Sequence, residues 1–395
     1  MILTQTYAIF LDAYRELNAK KLFWLTLALN LLVVVLFAAL SINSKGVNFF
    51  HWTFNNNFLN SDSISPELFY KIQFTEWGVP LWLSWVAIIL ALISTAGIIP
   101  DLVSGGTIEP VLSKPIGRLR LFLTKYLTGL LFVALQVMVF SVGCILVMGF
   151  RAGAWEFKLL LAVPIVLAMF SYLYAFCAFV GLITRSTIAA LLLTIIFWFA
   201  LWLVNTTDSM MIAQREGSIL EIEDQQKIVE SQISFSNKRI AQLREQDKPV
   251  PGEGDEPLPD GYADQLEAVN PALSQSRSNL IDAQESAETW KAWAGRIITA
   301  KTILPKTQET IALLSRTLID REELAILMGM SERQAERMAA EQNDDNAPAF
   351  ADPRVGQRVE EIMRARTTTW ILGTSFAFQF FLLALSSIIF IRRDF

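Results

Sequence analysis

The chain carries one histidine, His51, and two cysteines, Cys144 and Cys177, in 395 residues. A transition-metal site of the usual His/Cys kind therefore lacks donors, and His51, set among aromatics and asparagines, reads as a bystander. Both cysteines fall inside apolar runs, where a thiol acts as a small buried hydrophobe rather than half of a disulfide framework. No GxxxxGK[ST] phosphate loop, HExxH, CxxC pair or Gly-x-Ser-x-Gly elbow occurs. The chain is thus not expected to be an enzyme by itself, and neither a cofactor nor a nucleic-acid partner is expected. The Ser104-Gly105-Gly106-Thr107 run lacks the preceding strand and the lysine that a phosphate cradle needs.

Charge is missing from the places where a secondary transporter would need it. Hydrophobic residues make up 53% of the chain and mean hydropathy is +0.40, too apolar for an ordinary soluble domain. The apolar residues collect in six runs: Leu22–Ile42, Val79–Ile99, Tyr126–Phe150, Leu159–Ile183, Ile188–Val204 and Trp370–Ile391. Each is about the length, roughly twenty residues, that crosses a bilayer core as a helix. None holds Asp, Glu, Lys, Arg or His, whereas ion-coupled carriers keep such groups at the midplane. Their polar residues, Ser84, Ser94, Thr95, Gln136, Ser141, Ser171, Tyr172, Thr194 and Gln379, read first as helix–helix hydrogen bonds and second as the lining of a path. No cleavable signal peptide is expected, since the first run is long enough to remain as an anchor.

The net charge of −5 conceals a split. The polar block Asp208–Arg366 holds 19 Lys/Arg against 29 Asp/Glu, which leaves +5 for the remainder. Lys20-Lys21, Lys114 to Lys125, Arg185 and Arg392-Arg393 all fall on one side of the six-span layout, so that side is expected to be cytoplasmic, with both termini there. Arg354, Arg358, Arg364 and Arg366 run against this rule, but long translocated domains largely escape it. Residues 1–21, with Tyr7, Phe10, Leu11, Tyr14 and Leu17 at helical spacing, predict an amphipathic elbow helix on the cytoplasmic face. Between Asn43 and Trp77, Phe49, Phe50, Trp52, Phe54 and Phe58 suit the headgroup layer.

The polar block predicts its own architecture. Ile219, Ile222, Gln226, Val229, Ile233, Ser236, Ile240 and Leu243 alternate spacings of three and four, as a coiled-coil seam does. A Pro/Gly breaker from Lys248 to Gly261 follows. Asn270-Pro271 then caps a second arm with Leu273, Ser276, Leu280, Ala283, Ala287, Trp290, Ala294 and Ile297 on its seam. Two arms of roughly 27 residues would each extend on the order of 40 Å. Further helices are expected over Pro305 to Met328, with Ile311, Leu314 and Leu318 packing on the hairpin base or the membrane surface, and over Ser331 to Gln342, opened by a capping box. Asp352-Pro353 would start a helix running into the last span.

Between the second and third runs lies the polar stretch PDLVSGGTIEPVLSKPIGRLRLFLTK, Pro100 to Lys125. Its charges and prolines exclude it from hydrocarbon, so it must sit in water at a membrane face. Gly106-Thr107-Ile108-Glu109, then Leu112-Ser113-Lys114-Pro115-Ile116, Arg118 and Lys125, resemble the first cytoplasmic loop of ABC-2 type permeases, the membrane subunits of a class of ABC transporters. The resemblance extends weakly to the amphipathic start, the six spans and the basic ending Arg392-Arg393-Asp394. It implies that residues 100–125 carry a short coupling helix docking on a separate ATPase subunit through Asp101, Gly106, Thr107, Glu109, Ser113, Lys114, Pro115, Arg118 and Lys125. Gly106 would permit a sharp turn, Pro115 would end the helix, and Lys114 and Arg118 would present cations. Pro110 departs from the family pattern, as does the large block before the last span.

The expected protein is therefore all-α and polytopic, in the plasma or inner membrane: residues 1–21 the elbow, 22–206 five spans, 207–367 an extracytoplasmic helical domain, and 368–395 the sixth span and tail. Its expected partners are an ABC ATPase subunit, a second permease copy, membrane lipid and an extracytoplasmic envelope protein. The last would be met by the seam of Ile219, Ile222, Val229, Ile233, Ile240, Leu243, Leu273, Leu280, Trp290 and Ile297. The alternative is a non-transporting membrane scaffold that recruits partners through this arm, and a secondary transporter ranks third.

Overall fold

The computed structural model describes residues 21–55, 60–104, 117–251, 262–320, 322–327, 329 and 352–392, together with 11 and 15. The elbow helix is thus almost wholly outside the described residues, as is the helix expected over 331–342. The chain forms two compact units: Met1–Asn205 with Ala300–Met330 and Arg366–Phe395, and Thr206–Thr299 with Ser331–Ala365.

Unit 1 holds the apolar helices. Among the described residues, five helical stretches are long and apolar enough to cross a bilayer: Pro66–Val103, Arg118–Ala152, Phe157–Thr184, Thr187–Glu245 and Thr368–Arg392. A sixth, Phe23–Ala39, is apolar but shorter. It belongs to α1 (Lys21–Ala39), which stops before the expected Ile42 because Leu40 opens a strand. Strands β1 (Leu40–Asn43), β2 (Gly46–Phe49) and β3 (Trp52–Asn55) make an antiparallel meander in that order. The described residues are otherwise overwhelmingly helical, as expected, and this small sheet is an addition to the expected fold. Asn43 supplies the first turn by accepting from the backbone N–H groups of Lys45 and Gly46, and Gly46 takes φ +138°. Val47, Phe49, Trp52, Thr53 and Phe54 then provide β-favouring side chains.

After the sheet, Ser65 caps α2 (Pro66–Ile72) by accepting from Leu68 N–H. A π-helix (Gln73–Ala87) follows with Pro80 inside it, then α3 (Ile88–Thr95) and α4 (Ile98–Ser104). Proline cannot complete the α ladder, and the wider turn accommodates its ring. The long α5 (Arg118–Ala152) ends at Gly153, whose φ of +69° closes the helix. A 3₁₀ turn (Phe157–Leu161) leads to α6 (Ala162–Thr184), which ends at Arg185 in the left-handed region. The helix α7 (Thr187–Glu245) runs 59 residues without a break, about 88 Å at the usual rise.

α1 packs on α5, α5 on α6, and α6 on the final helix α12 (Thr368–Arg392). Small residues permit the close approaches: a Cβ on Gly143 would lie 2.8 Å from Val34, and one on Gly129 would lie 2.7 Å from the Tyr174 ring. Several of the polar residues inside the runs bond between helices. Gln379 donates to Tyr126 Oη at 3.2 Å and accepts from Ser171 Oγ at 2.8 Å. Gln136 donates to Thr26 at 2.6 Å, and Trp82 Nε1 donates to Asn30 at 2.7 Å.

Two helices expected to be continuous are broken. The helix after Pro305 is α10 (Thr307–Leu318), stopped where Ile319 turns extended, and residues 322–327 resume helix beyond it. Its apolar face, Ile311, Leu314 and Leu318, lies in the core of the apolar bundle rather than on a hairpin base or a membrane surface. α10 packs against α6, the π-helix and α12. The helix α11 (Pro353–Ala365) likewise does not run into α12. The chain bends at Arg366, and Thr367 caps α12 by accepting from Trp370 N–H.

Unit 2 comprises the C-terminal part of α7, α8 (Tyr262–Val269), most of α9 (Ala272–Ile303) and α11. Its small core is Ile240, Val250, Leu266 and Leu273, with Val229, Ile233, Leu243 and Val269 packed around it. Asn270 donates to Gln232 across this contact at 2.6 Å, and Tyr262 donates to Asn237. α8 is an additional helix between the breaker and the second arm.

Candidate coupling surface and a buried ionic cluster

Asp101, Arg118 and Lys125 are the predicted coupling residues that are described; Gly106, Thr107, Glu109, Ser113, Lys114 and Pro115 lie outside the described residues. Asp101 sits on α4 and its Oδ1 accepts from Thr187 Oγ1 at 3.2 Å. Thr187 opens α7, and Ser186 just before it accepts from Ala189 N–H. A carboxylate at this end complements the helix dipole. Gly97 leaves room for Asp101, since a Cβ there would lie 2.7 Å from Oδ2. Arg118 opens α5 and donates from Nη1 to the Ile391 carbonyl at 3.0 Å, one of the last carbonyls of α12. A guanidinium there satisfies an orphan acceptor and opposes the negative helix end. Lys125 stands half-buried two turns into α5.

The predicted seam residues occupy shielded positions. On α7, Ile240 is buried and Ile219, Ile222, Val229, Ile233 and Leu243 are half-buried, while Gln226 is exposed. On α9, Leu273 is buried and Leu280, Trp290 and Ile297 are half-buried. The core of unit 2 unites Val229, Ile233, Ile240, Leu243 and Leu273; Ile219, Ile222, Leu280, Trp290 and Ile297 are not part of that cluster. The arginines that run against the charge rule are paired with acids. Arg354 bridges Asp224 at 2.8 Å and Asp352 at 2.7 Å, Arg358 meets Glu223 at 2.9 Å, and Arg364 meets Glu360 at 2.6 Å. The hydrogen bond from Arg354 holds the Asp352 carboxyl below the usual range.

An ionic cluster in unit 1 escaped the sequence reading. Glu309, 2% exposed on α10, pairs through Oε1 with Lys301 and with Arg366 at 2.8 Å. Lys301 donates onward to Asn205, which donates to Gln308. Beside them Lys306 turns back over the end of α9, donating to the carbonyls of Lys301 at 3.1 Å, Thr302 at 3.3 Å and Leu304 at 3.1 Å, and to Thr374 Oγ1 at 2.6 Å. Its ammonium lies 4.3 Å from the Trp370 ring centroid. Burial pulls its pKa down to about 8; Glu309 opposes this, and Lys301 and Arg366 reinforce it. The available signal was Glu309 itself, a carboxylate one turn before the buried Leu313 and on the same helix face.

A second ionic knot joins Lys71 to Glu67 at 3.0 Å and Glu323 at 2.9 Å. Among the described residues no group of three or more His, Cys, Asp or Glu is disposed to hold a metal ion. No protein-family model, curated protein or solved structure matches the chain.

Proposed function

We propose that this chain is the membrane subunit of an ATP-driven ABC-2 type transporter, an exporter, energised by a separate ATPase subunit that docks on residues 100–125. The observation that carries the reading is the pairing of charge-free apolar runs with one charged stretch, residues 100–125, whose residues resemble the family's docking loop. The apolar runs themselves carry no ionisable group to bind a coupling ion within the spans, which favours work entering from a partner. On this reading the chain lies in the plasma or inner membrane with both termini cytoplasmic, a second permease copy completes the transporter, and unit 2 is extracytoplasmic with a coiled-coil arm.

The continuous α7 and the separate core of unit 2 favour the second reading, a scaffold whose arm recruits envelope partners. Purification of the tagged chain in mild detergent separates the two. Co-purification of an ATP-hydrolysing subunit, lost on Lys114→Glu, is the transporter's outcome. Absence of any ATPase, with envelope proteins retained until residues 219–297 are deleted, would replace it with the scaffold.

A further inference from the structure

The meander of β1, β2 and β3 is apolar on one face and polar on the other. Its register pairs Leu40 with Phe49 and Phe49 with Trp52, and likewise Ile42 with Val47 and Val47 with Phe54. Side chains alternate along a strand, so these six share one face. The opposite face carries Ser41, Asn48 and Thr53 in one cross-strand row and Asn43 in the next. Such alternation marks a sheet with one face covered and the other in water. Yet none of the six apolar residues belongs to the hydrophobic core or to the side chains packed against it. Trp52 is 70% and Phe54 61% exposed.

The place of the sheet indicates what covers that face. β1 follows directly on α1, which exposes Leu31, Leu32, Val35 and Leu36 in its last turns, as a helix in contact with lipid does. The apolar part of α1, Phe23–Ala39, measures about 26 Å at the usual rise, short of the roughly 30 Å of a bilayer core. Leu40 and Ile42 continue its apolar surface in extended form. Tyr70 holds the joint by donating to the Leu40 carbonyl at 2.8 Å. Arg151 donates to the Ala38 carbonyl at 2.7 Å, which sets the end of α5 beside the end of α1. Phe150 and Phe157 are exposed at that same end, where aromatic rings suit the headgroup layer. The turn between β2 and β3, Phe50-His51, adds a second sign. Two-residue hairpin loops favour asparagine and glycine, yet Phe50 takes φ +52° and stands exposed. A bulky side chain is strained there, and burying its ring in lipid offsets the cost.

We infer that the meander is an interfacial lipid anchor. Its apolar face seats in the boundary between headgroups and acyl chains where α1 ends, with Phe50 at its tip, while the Ser41, Asn48 and Thr53 face looks to water. The anchor makes up the length that α1 lacks and fixes the depth at which α1 ends. It requires only that the bundle sit in a bilayer, so it stands alike for a transporter and for a scaffold.

The test is spin-label accessibility in the full-length chain, reconstituted in phosphatidylcholine nanodiscs with Cys144→Ala/Cys177→Ala as background. Trp52→Cys, Thr53→Cys and Phe54→Cys each receive one nitroxide. Oxygen partitions into lipid and a soluble nickel chelate stays in water, so the ratio of their collision rates reads the surroundings of each label. A lipid anchor predicts a ratio several-fold higher at 52 and 54 than at 53, the period of two that a strand imposes. Equal nickel access at all three positions means that the sheet stands in water, and overturns the inference. Labels at 52 and 54 shielded from both reagents mean that protein covers the face, another part of the chain or a second copy, and overturn it equally. Should the labelled variants misfold, the native tryptophan serves instead. Lipid brominated near its headgroup end should quench the fluorescence of the wild-type chain more than that of Trp52→Phe, and equal quenching would reject the anchor.

Discussion

Lys301 and Glu309 form an ion pair in which both side chains are almost fully withdrawn from solvent, 4% and 1% exposed. Burying two charges is unfavourable unless each keeps its partner, and removing one leaves the other stranded. Glu309→Gln abandons Lys301 and Arg366 together, so a loss of about 3–5 kcal/mol in unfolding free energy is expected. Lys301→Met/Glu309→Leu should lose less than Glu309→Gln alone, because no charge of that pair remains unpaired. Thermal unfolding of the detergent-solubilised chain decides, and a double variant weaker than either single change would refute the argument.

Lys306 makes stability depend on alkaline pH. Its pKa falls from 10.5 in the unfolded chain to about 8 in the folded one. Between those values the unfolded chain binds more protons, so unfolding free energy rises with pH across that window. Below about pH 8 the ammonium is charged in both states and the burial penalty is felt in full. Chemical denaturation from about pH 7 to about pH 10.5 should show this rise, on the order of 3 kcal/mol at most. Lys306→Met should remove that component of the slope; an unchanged slope would show that other groups generate it.

Gly129 presses against a ring that cannot retreat. A Cβ there would lie 2.7 Å from Tyr174, which is stacked on Tyr126 at 5.0 Å and on Phe170 at 5.3 Å between centroids. Gly129→Ala should therefore destabilise the bundle by about 1–3 kcal/mol through overpacking. Gly373→Ala on α12 is the matched control, since nothing lies within 4 Å of its added Cβ. It should be neutral or slightly stabilising, as alanine is the better helix former.

The apolar helices were legible because length and missing charge are properties of single stretches. On α7 and α9 the residues at spacings of three and four are buried or half-buried except Gln226. The sheet was not legible: Leu40 and Ile42 read as the tail of an apolar run, although the Asn43–Gly46 turn draws them into a strand. Nor was the Glu309 cluster, because Asn205, Lys301 and Arg366 come from separate stretches and meet only after α10 packs into the bundle. Asp101 and Arg118 show a further gap between residue type and direction. Residue type suggested a partner's surface and gave no sign of the helix ends within the same chain that both also engage.

Unit 2 rests on few residues, which makes its core sensitive at one position. Leu273 is fully buried against Ile240, Val250 and Leu266 where α9 begins, beside the hydrogen bond from Asn270 to Gln232. Truncation to alanine removes apolar contact and leaves a cavity that long helices cannot readily collapse, a loss of about 2–5 kcal/mol. Phe235→Ser, by contrast, changes a ring that is 58% exposed and should shift stability by less than about 0.5 kcal/mol. Hydrogen exchange localises the effect: Leu273→Ala should accelerate amides of 229–243 and 262–280 while those of α5 and α6 keep their rates. Equal acceleration in α5 and α6 would mean that the two units unfold as one and that the small core of unit 2 has no separate stability to lose.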